Sequence, residues 1–160
     1  MAKASRACAL LLRFLAMAAT ISAAAIMATS HETTNIFSIT IKAEFYQIPS
    51  FTFFVIANSI SAAYSLIALF LLPAGLISRW LAVFDVIIAM LLTGAMASAG
   101  SISQVGKKGN VHAGWLPICD EVSKYCNQIM AALISGFIGL FLYTIIVLHT
   151  ITTELNPLLP

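Results

Sequence analysis

Four long apolar segments constrain this chain more than any other feature of its sequence. They occupy residues 10–29, 51–72, 80–100 and 128–150. A helix of about 20 residues spans the roughly 30 Å hydrocarbon core of a bilayer. Of the 160 residues, 61% are hydrophobic and 9% are charged, against about a quarter charged in a soluble domain. The sequence therefore predicts an all-α membrane protein, a single domain over residues 1–160 built as a four-transmembrane-helix bundle.

The first apolar segment has a second interpretation. Its basic start, apolar middle and small residues at 23–25 also fit a secretory signal peptide. Arg13, however, interrupts the region that a signal peptide keeps apolar. We therefore expect this segment to be a retained membrane helix.

The connections predict how the four spans are arranged. The short connection 73–79 makes spans two and three antiparallel neighbours. An even number of spans places both termini on one side, and the cationic N-terminus favours the cytoplasm. The two long connections, 30–50 and 101–127, then become extracellular loops. Alternating apolar and polar residues in IFSITIKAEFY predict a short strand or hairpin in the first of them.

Two charged residues of opposite sign lie inside the predicted spans. Arg13 is in span one and Asp85 is in span three. A carboxylate in hydrocarbon costs about 2.5–3.5 kcal/mol on insertion scales. With cytoplasmic termini, both residues enter from the same side, to depths of roughly 5 and 7 Å at 1.5 Å per residue. We therefore predict an intramembrane ion pair, which would offset both desolvation costs.

Two alternatives for these charges stay open. Each side chain could reach the headgroups by itself, which is easy for the long Arg13 and hard for the short Asp85. Asp85 could also carry protons or take part in catalysis, although no other ionisable group lies deep in the predicted spans.

Cys119 and Cys126 lie in the predicted second extracellular loop. On a regular helix their Cα atoms would be about 10 Å apart, beyond the limit of about 7 Å for a disulfide. A disulfide therefore requires a turn or a broken helix between them, and an oxidising compartment favours it over two free thiols. A metal site with His112 is a further alternative, without a recognised ligand spacing. Trp115 is predicted to be a packing or interfacial aromatic residue of this stapled loop.

Small residues recur at helical spacing in every predicted span. Such ridges let membrane helices approach closely, either within one bundle or between copies. They comprise Ala16, Thr20 and Ala24 in span one, Ala57 and Ser61 in span two, Gly94 and Ser98 in span three, and Gly136 and Gly139 in span four.

The chain resembles the plant Casparian strip membrane domain protein-like (CASP-like) family, which is related to MARVEL-type four-span proteins. The similarity covers LLRFLAMAATISAAAIMATS, PSFTFFVIANSISAAYSLIAL and FDVIIAMLLTGAMASAGSI, and a loop pattern formed by Gly109, Asn110, Trp115, Cys119 and Cys126. The resemblance implies that Arg13 and Asp85 are family hallmarks. It also implies a multi-pass plasma-membrane protein that forms homo-oligomers and hetero-oligomers.

Founding members of that family are scaffolds that recruit cell-wall-modifying enzymes. This chain has SITIKAEFYQIPS in place of their long first-loop signature, which argues against a role in the Casparian strip itself. The predicted function is a laterally oligomerising scaffold that organises a membrane subdomain. Its expected partners are membrane lipid, copies of itself, family members and extracellular cell-wall enzymes.

A small channel or transporter for ions or solutes is the alternative function. An enzyme is not expected, because the sequence has no metal motif, no Cys-x-x-Cys pair and no phosphate loop. No cofactor or metal is predicted for the same reason. A net charge of +2 without a basic run also gives no indication of nucleic-acid binding.

Overall fold

The computed structural model describes residues 2–36, 39–71 and 78–155. Four helices make up most of it: α1 is Ala2–Ala28, α2 is Pro49–Leu71, α3 is Ser78–Lys108 and α4 is Ser123–Leu155. All four are long and apolar enough to cross a membrane. The predicted class, an all-α membrane protein with four spanning helices, is confirmed.

Each helix packs along two neighbours, so the bundle is a closed ring of four. α1 and α3 both contact α2 and α4. α1 and α3 therefore stand at opposite corners, and α2 and α4 occupy the other two. Buried alanines, which let the backbones approach, recur through the interior, among them Ala16, Ala23, Ala57, Ala95 and Ala132.

Two strands complete the fold. β1 (His31–Ile36) and β2 (Ile39–Glu44) pair antiparallel, with His31 opposite Glu44. The strand or hairpin predicted between spans one and two is therefore confirmed. We call the end of the bundle that carries this hairpin the hairpin end. Residues 73–77 of the short connection predicted between spans two and three lie outside the described residues.

The third and fourth helices extend beyond the apolar segments that predicted them. α3 continues to Lys108 and α4 begins at Ser123. The second connection is therefore residues 109–122, shorter than the predicted 101–127. Lys107 and Lys108 lie in the last turn of α3, where their positive charges interact favourably with the negative end of the helix dipole. Gly109 then ends the helix with a φ of 67° and donates its N–H to the Val105 carbonyl at 2.7 Å.

Candidate functional site

Arg13 and Asp85 meet across the diagonal between α1 and α3. Arg13 Nη1 donates to Asp85 Oδ1 at 2.9 Å, and Nη2 donates to Oδ2 at 2.6 Å. Both side chains are enclosed, with residue exposures of 3% for Arg13 and 0% for Asp85. This geometry is bidentate, and bidentate pairs are among the strong interactions between an Arg and a carboxylate. Because Asp85 has no surface in contact with lipid or solvent, the alternative in which each charge reaches the headgroups by itself is not what the structure shows.

Tyr64 of α2 is a third member of this group. Its hydroxyl lies 2.8 Å from Asp85 Oδ1 and 3.1 Å from the Leu81 carbonyl oxygen. The phenol has one proton, and the carboxylate is the stronger acceptor. The Arg13 guanidinium carbon lies 6.0 Å from the centre of the Tyr64 ring, within range of a cation–π contact. Three helices therefore share one charged pair.

The other diagonal, between α2 and α4, is joined by hydroxyl groups in the same layer. Tyr143 donates to the Ser61 carbonyl at 2.6 Å. Because that uses its only proton, Ser65 must donate to the Tyr143 hydroxyl, at 2.5 Å. Ser65 directly follows Tyr64, so both diagonals are bonded at one depth. We call this set of Arg13, Tyr64, Ser65, Asp85 and Tyr143 the polar layer.

Replacing Tyr64 with Phe is expected to lower the stability of the bundle. It removes a hydrogen bond to a buried charged acceptor, which contributes about 1.5–3 kcal/mol. The measurement is the fraction of protein that stays folded on heating in detergent. Tyr46→Phe is the matched control, because Tyr46 is exposed and lies outside the four spanning helices. Equal stability of the two variants would show that the Tyr64 hydroxyl is dispensable.

The predicted small residues divide into buried and exposed sets. A Cβ at Gly136 would lie 2.7 Å from Phe54 Cζ, and one at Gly139 would lie 3.0 Å from Thr20 Cγ2. Gly94, by contrast, is exposed, and a Cβ there would have no neighbour within 4 Å. Gly94 therefore does not face another helix among the described residues, and a contact between copies stays a prediction. The other predicted positions are fully or largely buried, except for the half-buried Ser98: Ala16, Thr20, Ala24, Ala57 and Ser61.

A disulfide staples the second connection to α4. Cys119 and Cys126 are bonded, with their Cα atoms 5.7 Å apart. The chain bends between them as the sequence argument requires, because α4 begins only at Ser123. We call residues 109–122 the disulfide loop. Among the described residues, no group of three or more His, Cys, Asp or Glu side chains could hold a metal ion.

The backbone determines the geometry of this loop. The Asn110 and Trp115 backbones exchange hydrogen bonds of 2.8 and 2.9 Å. A Cβ at Gly109 would lie 2.6 Å from the Trp115 carbonyl oxygen, so the glycine is required there. The Asn110 side chain accepts from the Ala113 N–H at 3.3 Å. The Trp115 side chain itself is 55% exposed.

Glu32 ties the hairpin to the start of α4. Its Oε2 accepts from the Tyr125 backbone N–H at 2.8 Å, across 93 residues of sequence. The first N–H groups of a helix lack partners within the helix, and a carboxylate there is favoured by the helix dipole. The hairpin, α4 and the disulfide loop are thereby joined at the hairpin end.

Replacing Glu32 with Gln is expected to speed hydrogen exchange of the Tyr125 amide about two- to fivefold. The change keeps an acceptor but removes the charge that favours the helix N-terminus, about 0.3–1 kcal/mol. Glu44→Gln, in the other strand of the hairpin, is the control. If both variants exchange alike, the Glu32 charge does not hold the start of α4.

Three residues that make these contacts could not be identified from the sequence. Tyr64 and Tyr143 are each one of several aromatic residues in an apolar segment, and only the rotation of their helices turns them inward. Glu32 lies in a polar connection, where nothing distinguishes it from other surface carboxylates. The only available signal was for Tyr64, since a phenol in the span between the two charged spans could reach them.

Comparison with known proteins gives one consistent family. The model of the Casparian strip membrane protein domain matches residues 2–142. CASP-like protein 1C2 of Vitis vinifera is 50% identical over 149 residues, which cover 93% of this chain and 92% of the relative. CASP-like protein 1C1 of Sorghum bicolor is 52% identical over 130 residues, 81% of this chain and 80% of the relative. CASP-like protein 1C1 of Arabidopsis thaliana is 41% identical over 150 residues, 94% and 92%. No solved structure matches the chain.

Proposed function

The chain belongs to the Casparian strip membrane protein domain family, and on that premise we propose that it is a plasma-membrane scaffold. In this role it associates laterally with copies of itself and with family members, and organises a subdomain of the membrane. It recruits extracellular partners that modify the cell wall, and it catalyses no reaction itself.

The observation that carries this proposal is that the side chains of the polar layer hydrogen-bond to groups on other helices of the bundle. Both oxygens of Asp85 bind Arg13, and one of them also binds Tyr64. Asp85 has no exposed surface. A carrier or a channel needs interior polar groups that a passing solute can reach. Interior charges that are bonded to each other and to Tyr64 support a rigid bundle, as a scaffold requires.

The orientation proposed for the scaffold places both termini in the cytoplasm and the hairpin end outside the cell. The Cys119–Cys126 disulfide supports it, because disulfides persist in oxidising compartments. The hairpin and the disulfide loop are then the parts that extracellular partners can reach. Lipid contacts the outward faces of the helices, which expose large apolar side chains such as Leu11, Phe70 and Phe137.

The test is the native mass of the full chain in lipid nanodiscs or mild detergent, together with its mobility in the plasma membrane. A scaffold is expected to give discrete masses above the monomer and slow recovery of fluorescence after bleaching. A strictly monomeric, freely diffusing protein would contradict the proposal. Ion flux through vesicles containing the chain, abolished by Asp85→Asn, would instead support a channel.

A further inference from the structure

We propose that copies of this chain dock side by side through their disulfide loops, with the basic limb of one loop against the acidic limb of the next. The basic limb is Lys107 and Lys108, and the acidic limb is Asp120 and Glu121. This inference rests on the proposed lateral association and names the surface that carries it. It differs from that proposal in predicting a particular contact outside the bilayer.

The two limbs carry opposite charges that the described part of the chain leaves unpaired. All four side chains are exposed. None of the four forms an ion pair or a side-chain hydrogen bond with any described residue. Lys124 follows one turn later and is not paired with them either. Charges of both signs are therefore free to bind a neighbour.

The two limbs lie at the same height. The backbone N–H groups of Ile118 and Cys119 both donate to the Gly106 carbonyl, at 2.9 and 3.3 Å. The start of the acidic limb is therefore fixed beside the residue that precedes the basic limb. All copies in one bilayer share an orientation and a depth. The basic limb of one copy and the acidic limb of its neighbour are consequently at the same height, so they can come into contact without either copy tilting in the bilayer.

The disulfide loop stands clear of the lipid. α2 has 23 residues and α3 has 31, so at 1.5 Å per residue they are about 34 and 46 Å long. The Tyr64 hydroxyl, one to two turns before the end of α2, contacts both Leu81 and Asp85 near the start of α3, which sets these ends level. The far end of α3 therefore projects about 12 Å beyond α2. A headgroup layer is about 5–8 Å thick, so lipid of a bilayer that α2 spans does not reach the loop.

An apolar tip between the limbs supplies contact area. Val111 is 91% exposed and Leu116 is 83% exposed, in the loop that the helix lengths place beyond the headgroups. The disulfide and the Asn110–Trp115 bridge hold this tip in one conformation, which lowers the entropic cost of binding. Exposed ion pairs contribute little affinity but set which surfaces meet. The tip therefore gives affinity, and the limbs give register.

The contact joins two different surfaces of the same chain, so it is heterologous. A contact of this kind continues into an open array when the rotation between neighbours does not close a ring. Side-by-side docking in one membrane plane thus extends laterally, as a membrane subdomain requires.

The first test uses the full chain in vesicles prepared from equal amounts of ¹⁴N- and ¹⁵N-labelled protein. A carbodiimide joins Lys directly to Asp or Glu at contact distance. We expect linked peptides with one light and one heavy half that join Lys107 or Lys108 to Asp120 or Glu121. Mixed-isotope links found only elsewhere on the chain would overturn the inference.

The second test reverses the charges and measures self-association by native mass. Lys107→Glu with Lys108→Glu, and separately Asp120→Lys with Glu121→Lys, should each weaken association about tenfold, because attractive pairs become repulsive. A chain with all four changes, or a mixture of the two variants, should regain it. Lys42→Glu on the hairpin is the matched control, and non-reducing gels report that the disulfide is intact.

The outcomes separate this inference from the proposed function. Wild-type protein that stays monomeric would defeat both. Wild-type association that is unchanged by either charge reversal and by Leu116→Ser would overturn only the inference. In that case the apolar tip would bind a protein other than a second copy of this chain.

Discussion

Asp85→Ala is expected to prevent most of the protein from reaching a stable, folded state in the membrane. The change leaves the Arg13 guanidinium buried without its carboxylate, which accepts two of its hydrogen bonds. Removing one partner of a buried ion pair costs about 3–5 kcal/mol, a large part of the stability of a small domain. The measurement is the yield of monodisperse protein in detergent and its survival on heating.

A double substitution distinguishes the loss of the ion pair from the cost of leaving one buried charge without a partner. Arg13→Leu with Asp85→Leu should be less harmful than Arg13→Leu or Asp85→Ala alone, because no uncompensated charge stays in the interior. Glu44→Ala, which removes a carboxylate of the hairpin outside the spanning helices, should match the wild type. Equal damage from Asp85→Ala and Glu44→Ala would contradict the structural role of the pair.

Gly136→Val is expected to destabilise the bundle by about 1–3 kcal/mol, the usual cost of overpacking a filled core. Even the first added carbon would lie 2.7 and 2.9 Å from two Phe54 ring atoms and 3.1 Å from Met96 Sδ. Phe54 has no exposed surface, so its ring has no open space to enter. The measurement is the temperature at which half of the protein is lost from solution in detergent.

Gly94→Val is the matched control for this prediction. Both glycines lie within spanning helices, but a Cβ at Gly94 meets no atom within 4 Å. Valine has a higher helix propensity than glycine, so the control should be neutral or slightly stabilising. If both substitutions lowered the transition temperature equally, close packing at Gly136 would not be the cause.

These two glycines also show how far the sequence predicts the packing. Each lies in a ridge of small residues, and spacing alone treats the two ridges alike. The rotation of α3 and α4 about their axes decides that Gly136 faces Phe54 while Gly94 faces outward. That rotation follows from the combined fit of all four helices, which hydropathy does not report.

The Arg13–Asp85 pair is easier to predict from the sequence than the glycine contacts. A charge in hydrocarbon needs a partner, and these two residues have opposite charges inside the predicted spans. The spanning helices were predictable from apolar length for a similar physical reason. Residues 101–108 were assigned to a loop because they are polar, yet they continue α3. Hydropathy reports contact with lipid, and a helix continues beyond the lipid as long as its backbone bonds are satisfied.

The separation of 72 residues between Arg13 and Asp85 has a consequence for biosynthesis. At roughly 5–20 residues per second, a ribosome makes Asp85 some 4 to 14 seconds after Arg13. Through that interval α1 carries a guanidinium that lacks its carboxylate and has to extend to the headgroups or to water. A nascent chain that stops before α3 therefore holds an unsatisfied charge that quality control can recognise, so assembly of the bundle reports on the completeness of the chain.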